Sequence, residues 1–326
     1  MKLTNRGPIR KIKFLFTATL SVFFLLPSLV LGKAIIADHV AVRQFDLIPD
    51  EWLEKAKLLT IHYAHTSHGS QINSGLLVLE SMNPKYSIAI RINASSAELP
   101  PEENPPALRM YDGNPPETYI TPEDYWDGES GMNRTRAVAD TGLFNFSMWS
   151  WCGQQSYNTV ETVQRYLDAL DTLESEYRSM RFIYMTGHTD GGSATLTRNN
   201  QMVRDYVIEN EKVLFDFADI ESWDPDGNYY PDTTDACEWC YDWCDSHPED
   251  CDFTCDCAHS HKLNCLLKAK AFWWMMARLA GWDGCIQDFD KDKDVDGFDL
   301  SFIVRTAECN EKCVEDLAMS FGGNLQ

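Results

Sequence analysis

What most constrains the fold of this chain is a repeated change of hydrophobic period. Short apolar runs, "LLTIHYA", "GLFNFSMWSWC", "RFIYMTG" and "KVLFDFA", alternate with stretches whose apolar residues recur at helical spacing. The helical stretches are Pro49 to Lys57, "SGLLVLESM", Thr159 to Tyr177 (Val160, Val163, Tyr166, Leu167, Leu170, Leu173), "RNNQMVRDYVIEN" and the long apolar "KLNCLLKAKAFWWMMARLAGW". Two parallel strands need a crossover between them, and a helix supplies it. The alternation therefore predicts an α/β domain with a parallel sheet covered on both faces. Residues 96–140, rich in Pro, Glu, Asp and Gly and lacking a period, read as an excursion from the core. Ligands in such folds sit beyond the carboxyl ends of the strands, so the residues just after each run are the candidates for chemistry.

Four such stretches stand out. They are His65-Thr66-Ser67-His68-Gly69-Ser70, Cys152-Gly153-Gln154-Gln155, Gly187-His188-Thr189-Asp190, and the acidic, Cys-rich loop that closes on Asp256-Cys257-Ala258-His259. A serine hydroxyl becomes a nucleophile when a histidine accepts its proton and a carboxylate orients that histidine. Ser67, His259 and Asp256 supply the three types. Ser70 is the alternative nucleophile, since either serine can cap the helix that follows. His261 competes with His259, but only His259 completes D-x-x-H. His65 and His68 read as supporting groups or as exposed loop residues. Asn199, Asn200 and Arg204 read as a solvated helix start, and Trp149, Trp151, Trp273 and Trp274 as core, with Trp151 the best candidate for sugar stacking.

The order of these turns, a serine turn, then a glycine, then G-x-x-D, then D-x-x-H before the last helix, resembles the SGNH/GDSL-type hydrolases over residues 57–280. His65-Thr66-Ser67 stands where that family has G-D-S, and Gly187-His188-Thr189-Asp190 where it has G-x-N-D. The resemblance implies a flavodoxin-like three-layer sandwich across residues 34–283, with a Cys-rich insertion at 235–265. It also implies ester hydrolysis through Ser67, His259 and Asp256, with Gly153, His188, Thr189 and Asp190, and His65 and His68 beside them, around the oxyanion and substrate. The implied substrate is a small ester or an acylated carbohydrate. The competing expectation is an exported binding protein that keeps the fold without the chemistry.

Residues 1–33 carry a basic start and then "FLFTATLSVFFLLPSLVLG", the pattern of a secretory signal, so the expected location is secreted or cell-surface. The formal charge is −22, and the five Lys/Arg before Lys33 make the remainder −22 − 5 = −27. That surface repels nucleic acid and anionic lipid, and no later stretch is apolar for long enough to span a membrane. Of eleven cysteines, seven lie between Cys237 and Cys265. In an exported protein these read as disulfides ahead of a zinc site built from Cys237, Cys240, His247, His259 and His261.

Residues 285–326 open with "DFDKDKDVDGFDLSFI", in which Asp288, Asp290, Asp292, Asp294, Asp296 and Asp299 fall at positions 1, 3, 5, 7, 9 and 12 of a calcium loop. This segment resembles one dockerin type I repeat. The resemblance implies a small helical module stabilised by structural calcium on Asp288, Asp290, Asp292, Asp294 and Asp299. A second acidic loop is missing, which speaks against a cohesin-type partner. "DPDGNYYPDTTD" (224–235) has a similar rhythm and reads as a polar turn, with a second calcium site as the alternative.

Overall fold

A computed structural model of the protein describes residues 34–284 and 300–301. The expected signal segment, the calcium ligands Asp288, Asp290, Asp292, Asp294 and Asp299, and Cys285, Cys309 and Cys313 lie outside the described residues.

The strands are β1 (Ile35–Ala37), β2 (Thr60–His65), β3 (Ile88–Ile92), β4 (Leu108–Asp112), β5 (Phe146–Ser150), β6 (Arg181–Met185) and β7 (Val213–Phe215). They form one sheet in the order β1-β7-β6-β5-β2-β4-β3, every pairing parallel. The helices are α1 (His39–Arg43), α2 (Asp50–Ala56), α3 (Ser70–Met82), α4 (Pro122–Tyr125), α5 (Gly128–Ala139), α6 (Val160–Glu176), α7 (Ala194–Glu209), α8 (Phe217–Glu221), α9 (Glu238–Ser246) and α10 (Lys262–Leu279). Every residue of β2 and of β5 is buried, so both faces of the sheet are covered, as a parallel sheet requires. Helices α1, α2, α3 and α8 gather around α10, while α5, α6 and α7 pack against one another.

Two features explain how the layers close. Helix α10 is apolar around most of its circumference and buried along most of its length, which makes it a central helix rather than a surface one. Its partner α3 approaches so closely that a Cβ on Gly75 would lie 1.9 Å from the Cys265 carbonyl oxygen, so only glycine fits there. On β5, Ser147 and Trp149 share a face by the two-residue period of a strand, and Trp151 continues it. Trp149 and Trp151 meet edge-to-face at 4.8 Å and pack on Trp126 and Tyr166. Each indole nitrogen is satisfied, Trp149 donating to the Ile120 carbonyl and Trp151 to the Met185 carbonyl, both at 3.0 Å. Those bonds tie the end of β5 to its neighbours. Trp149, Trp151, Trp273 and Trp274 are all buried, so none offers a sugar-stacking face.

Two expectations are corrected here. Residues 96–140 are not wholly an excursion. They contain the sheet strand β4 and helix α5, and β3 precedes them. Asn199 and Asn200 are not solvated: Asn199 donates to the Gln155 and Asn158 carbonyls, and Asn200 accepts from the Gly187 N–H at 2.9 Å. They buttress the turns that follow β5 and β6.

The strand order fixes where a site can form. After β2 the chain moves toward β3 and β4 on one side, and from β5 onward it proceeds to β6 and β7 on the other. The crevice beyond the paired ends of β2 and β5 is thus the topological switch point, where α/β sheets bind ligands.

Candidate functional site

The turn after β2 is folded tightly back on its strand. The Tyr63 hydroxyl donates to the Gly69 carbonyl at 2.8 Å, and a Cβ on Gly69 would lie 2.3 Å from that of His65, so a side chain at this position would break the turn. His65 is buried, with Nδ1 donating to the Thr66 carbonyl at 2.6 Å and Nε2 3.1 Å from the Asp112 carboxylate at the end of β4. Burial works against protonation of His65, yet the bond to Asp112 holds its pKa above the ordinary value. Asn73 also donates to Asp112, at 2.7 Å. His65 therefore anchors the turn and is turned away from the crevice chemistry.

Across the crevice, the first residue after Trp151 is Cys152, half-buried and without a disulfide partner among the described residues. Its Sγ lies 3.0 Å from His68 Nδ1, and His68 Nε2 donates to the Asp235 carboxylate at 2.8 Å. A thiol, an imidazole and a carboxylate are thus joined in series. The bond from His68, opposed by desolvation and aided by the charge of His68 and by the Gly153 N–H, brings the Cys152 pKa down to about 6. Desolvation alone would lower His68, but its bonds to Cys152 and Asp235 leave it raised. Together these shifts describe a thiolate facing an imidazolium near neutral pH, the arrangement that makes a cysteine reactive.

Asp235 is delivered by the start of the Cys-rich segment. Residue Thr234 bridges to Asp190 in the turn after β6, and the Glu238 carboxylate accepts from the Thr234 N–H at 3.0 Å. Two residues after Asp235, Cys237 caps the start of α9 in the left-handed conformation and pairs with Cys240. Disulfides Cys244–Cys251 and Cys257–Cys265 complete the segment, leaving Cys255 unpaired. The zinc alternative loses its thiolates to these bridges. The acids of 224–235 also diverge: Asp224 accepts from Asn228 and Tyr230, Asp226 from the Trp243 indole, and Asp235 from His68.

The His68 ring is held between two other imidazoles, His188 at 4.0 Å and His259 at 4.4 Å, both near-parallel to it. Ligand atoms of His68, His188 and Asp235 come within 4.8 Å of one another, close enough to raise the question of a metal ion. A ring nitrogen's lone pair lies in the ring plane, and the His68 and His188 planes are only 11° apart, so their lone pairs run side by side rather than converging. The stack fits an aligned imidazole pair better than a shared tetrahedral ion.

Behind the stack is a fully buried polar network. Glu221 accepts from the Thr189 N–H at 2.7 Å and its hydroxyl at 2.9 Å, and from Lys268 at 2.9 Å and Asn264 at 3.2 Å. Lys268 also donates to Gln71, whose amide holds the Ala258 carbonyl beside His259. Removing one partner of such a pair typically costs about 3–5 kcal/mol, so the network fixes the turns that carry His188 and His259.

The remaining sequence candidates take lesser places. Ser67 is at the crevice, but its hydroxyl meets only the Cys152 sulfur, at 3.9 Å. No hydrogen bond joins Ser67, His259 and Asp256 among the described residues, and the histidine in contact with the crevice sulfur is His68. Asp256 lies beside Cys255 and pushes that thiol up. Ser70 donates to the Ser67 carbonyl, at 2.6 Å, and His261 caps α10 through the Leu263 N–H. Gly153, His188 and Thr189 lie beside His68 and Cys152, and Asp190 is exposed. Cys152 and Asp235 were missed as site residues. One signal for Cys152 was its isolation, 85 residues before the next cysteine (237 − 152). Neither family models nor curated proteins nor solved structures give a match to this chain.

Proposed function

We propose that the protein is a thiol-dependent acyl hydrolase in which Cys152 is the nucleophile, His68 the base and acid, and Asp235 the group that orients His68. The observation that carries this reading is the continuous contact from Cys152 Sγ through both nitrogens of His68 to Asp235, at 3.0 and 2.8 Å. The imidazole is used in the opposite sense from the serine-protease arrangement, with the nucleophile on Nδ1, but such triads are recognised by role rather than by atom label. The reading keeps the layout of an SGNH-type hydrolase and moves its nucleophile from the β2 turn to the β5 turn.

The chemistry follows in two steps. The Cys152 thiolate attacks the substrate carbonyl carbon, forming a C–S bond, while the negative charge that develops on oxygen meets the Gly153 N–H. His68 passes its proton to the leaving nitrogen or oxygen as that bond breaks. Water then attacks the thioester, giving its proton to His68, and the thiolate leaves with the C–S electron pair. The free enzyme is restored with one water consumed.

The setting of this hydrolase is proposed with it. Three disulfides suit an oxidising, extracytoplasmic compartment. Among the described residues no helix is long and apolar enough to cross a membrane. The acidic repeat at 285–299 would hold a structural calcium ion. A small acyl compound, including an acylated carbohydrate, remains within the substrate range, and a cohesin-type partner is not part of the reading.

Labelling tests it. Treatment of the full chain with iodoacetamide and, separately, with a fluorophosphonate, followed by peptide mapping, should place rapid carbamidomethylation on Cys152 and no phosphonylation on Ser67. Cys152→Ala should abolish hydrolysis of any acyl substrate found, and Ser67→Ala should leave it within about twofold. Phosphonylated Ser67 beside an unreactive Cys152 would restore the serine reading.

A further inference from the structure

Among the described residues, several buried polar atoms around the site have no hydrogen-bond partner, Gln155 Nε2 and Asn264 Oδ1 among them, and one of them belongs to the imidazole stack. His188 is 7% exposed, and its Nε2 makes no hydrogen bond. The other nitrogen, Nδ1, is 2.7 Å from the Thr189 carbonyl oxygen. A carbonyl only accepts, so Nδ1 carries the proton and Nε2 presents a bare lone pair. The ring cannot easily reverse, because Thr189 is itself held at its N–H and hydroxyl by buried Glu221.

The place of that nitrogen is readable from its neighbour. A Cβ built on Gly153 would come 3.8 Å from His188 Nε2 and, apart from the adjoining residues, within 4 Å of nothing else described. His188 Nε2 therefore lies buried beside the backbone of Gly153, the residue that follows Cys152. With Nδ1 donating to the Thr189 carbonyl, His188 acts as an acceptor at Nε2, beside the His68 ring stacked 4.0 Å away. A buried acceptor left unmatched is costly, and the substrate that matches it supplies an N–H.

We infer that His188 is a specificity residue that accepts a hydrogen bond from an amide N–H at or next to the scissile carbonyl, which makes carboxamides rather than esters the substrate class of this site. The inference rests on the thiol-hydrolase reading. An ester of the same shape offers no donor to Nε2, and a site built around a hydrogen bond discriminates against the analogue that lacks it.

A pair of alkylating probes tests this without knowledge of the natural substrate. Iodoacetamide and methyl iodoacetate both alkylate sulfur through the methylene next to their carbonyl with loss of iodide, and only the first carries N–H donors. The rate at Cys152 in the full chain is measured for each by peptide mapping and divided by the rate with glutathione. The expected result is a preference for iodoacetamide of about tenfold over the glutathione reference, the discrimination that one matched hydrogen bond provides. His188→Phe should bring the ratio of the two rates to that of glutathione, whatever its effect on the rates themselves, and His188→Gln, which restores an acceptor, should recover part of the preference. A Cys152 that reacts fast with both probes and shows no preference in the native protein overturns the inference alone, as does a preference that survives in His188→Phe. A Cys152 no faster than glutathione with either probe sinks the thiol reading, and the inference with it.

Discussion

Cys152 and Cys255 are the two unpaired cysteines among the described residues, and both are half-buried. Cys152 is drawn down to about 6 by the bond from His68. Cys255 is pushed up to about 11 by burial and then by the charge of Asp256. The difference is not burial but what faces the sulfur: a cation and a backbone N–H in one case, a carboxylate in the other. The histidines repeat the lesson six residues apart. His62 is fully buried between the Ser147 hydroxyl and the Gly113 carbonyl, both at 2.8 Å, and desolvation takes its pKa down to about 4. His68 has a thiol and a carboxylate instead, and is raised. A polar group whose partners are all neutral and internal is structural; one that faces charge and an unfilled space is placed for chemistry.

The largest effect expected from this contrast is on stability. His62 is neutral in the folded protein, whereas in the unfolded chain it takes a proton below pH 6.5. Between pH 6.5 and 4 the unfolded state therefore binds more protons, and stability falls as the pH is lowered through that window. One such group contributes a loss of about 3 kcal/mol by pH 4. Urea unfolding at pH 6.5, 5 and 4 should show His62→Asn with a shallower pH dependence than the native protein by nearly one proton, whatever its absolute stability. Parallel curves would mean that the His62 pocket admits a charge, and would weaken the division drawn between the two histidines.

The next effect compares the cysteines directly. At pH 7 their thiolate fractions differ by on the order of 10⁴, but a low-pKa thiolate is intrinsically less nucleophilic, which returns about a factor of 10² over five pKa units. Carbamidomethylation at pH 7, followed by peptide mapping, should favour Cys152 over Cys255 by on the order of 10². Equal rates would show that access, not charge, governs these thiols.

Much of this was legible in the sequence, and the failures have physical causes. The runs that became β2, β5, β6 and β7 are largely apolar because both sheet faces are covered, and the turns after β2, β5 and β6 carry the residues that meet in the crevice. Strand β4 was hidden because Arg109 and Asp112 make it look polar. Asp112 is buried at the strand end as the partner of His65, so a supporting role overrode the pattern. The His68 partner was beyond reach for a different reason. Asp235 lies 167 residues away, in a segment whose cysteines drew attention to bridges, and nothing local ties it to the β2 turn. Ser67 offered a familiar residue type at that strand end, while the imidazole that contacts both a sulfur and a carboxylate, His68, stands in the same turn.

His68→Gln gives the smallest and most discriminating effect. If the thiolate exists because of His68, replacing the imidazole with a neutral amide should carry the Cys152 midpoint from about 6 back toward the ordinary value of about 8.5. The sign is definite: the thiolate is lost as pH falls through its pKa, so the variant is impaired most at low pH, and well above pH 9, where both thiols are ionised, its more basic sulfur should react about tenfold faster than the native one. At pH 6 the thiolate fraction falls by about a hundredfold, and the greater nucleophilicity of the higher-pKa sulfur returns roughly a factor of ten, leaving alkylation about tenfold slower. A full rate-against-pH profile with iodoacetamide separates this from a steric effect, which would scale the rate equally at every pH. A midpoint that stays near 6 in the variant would assign the thiolate to the Gly153 N–H and its surroundings, and would leave the His68 to Asp235 contact as a feature of packing.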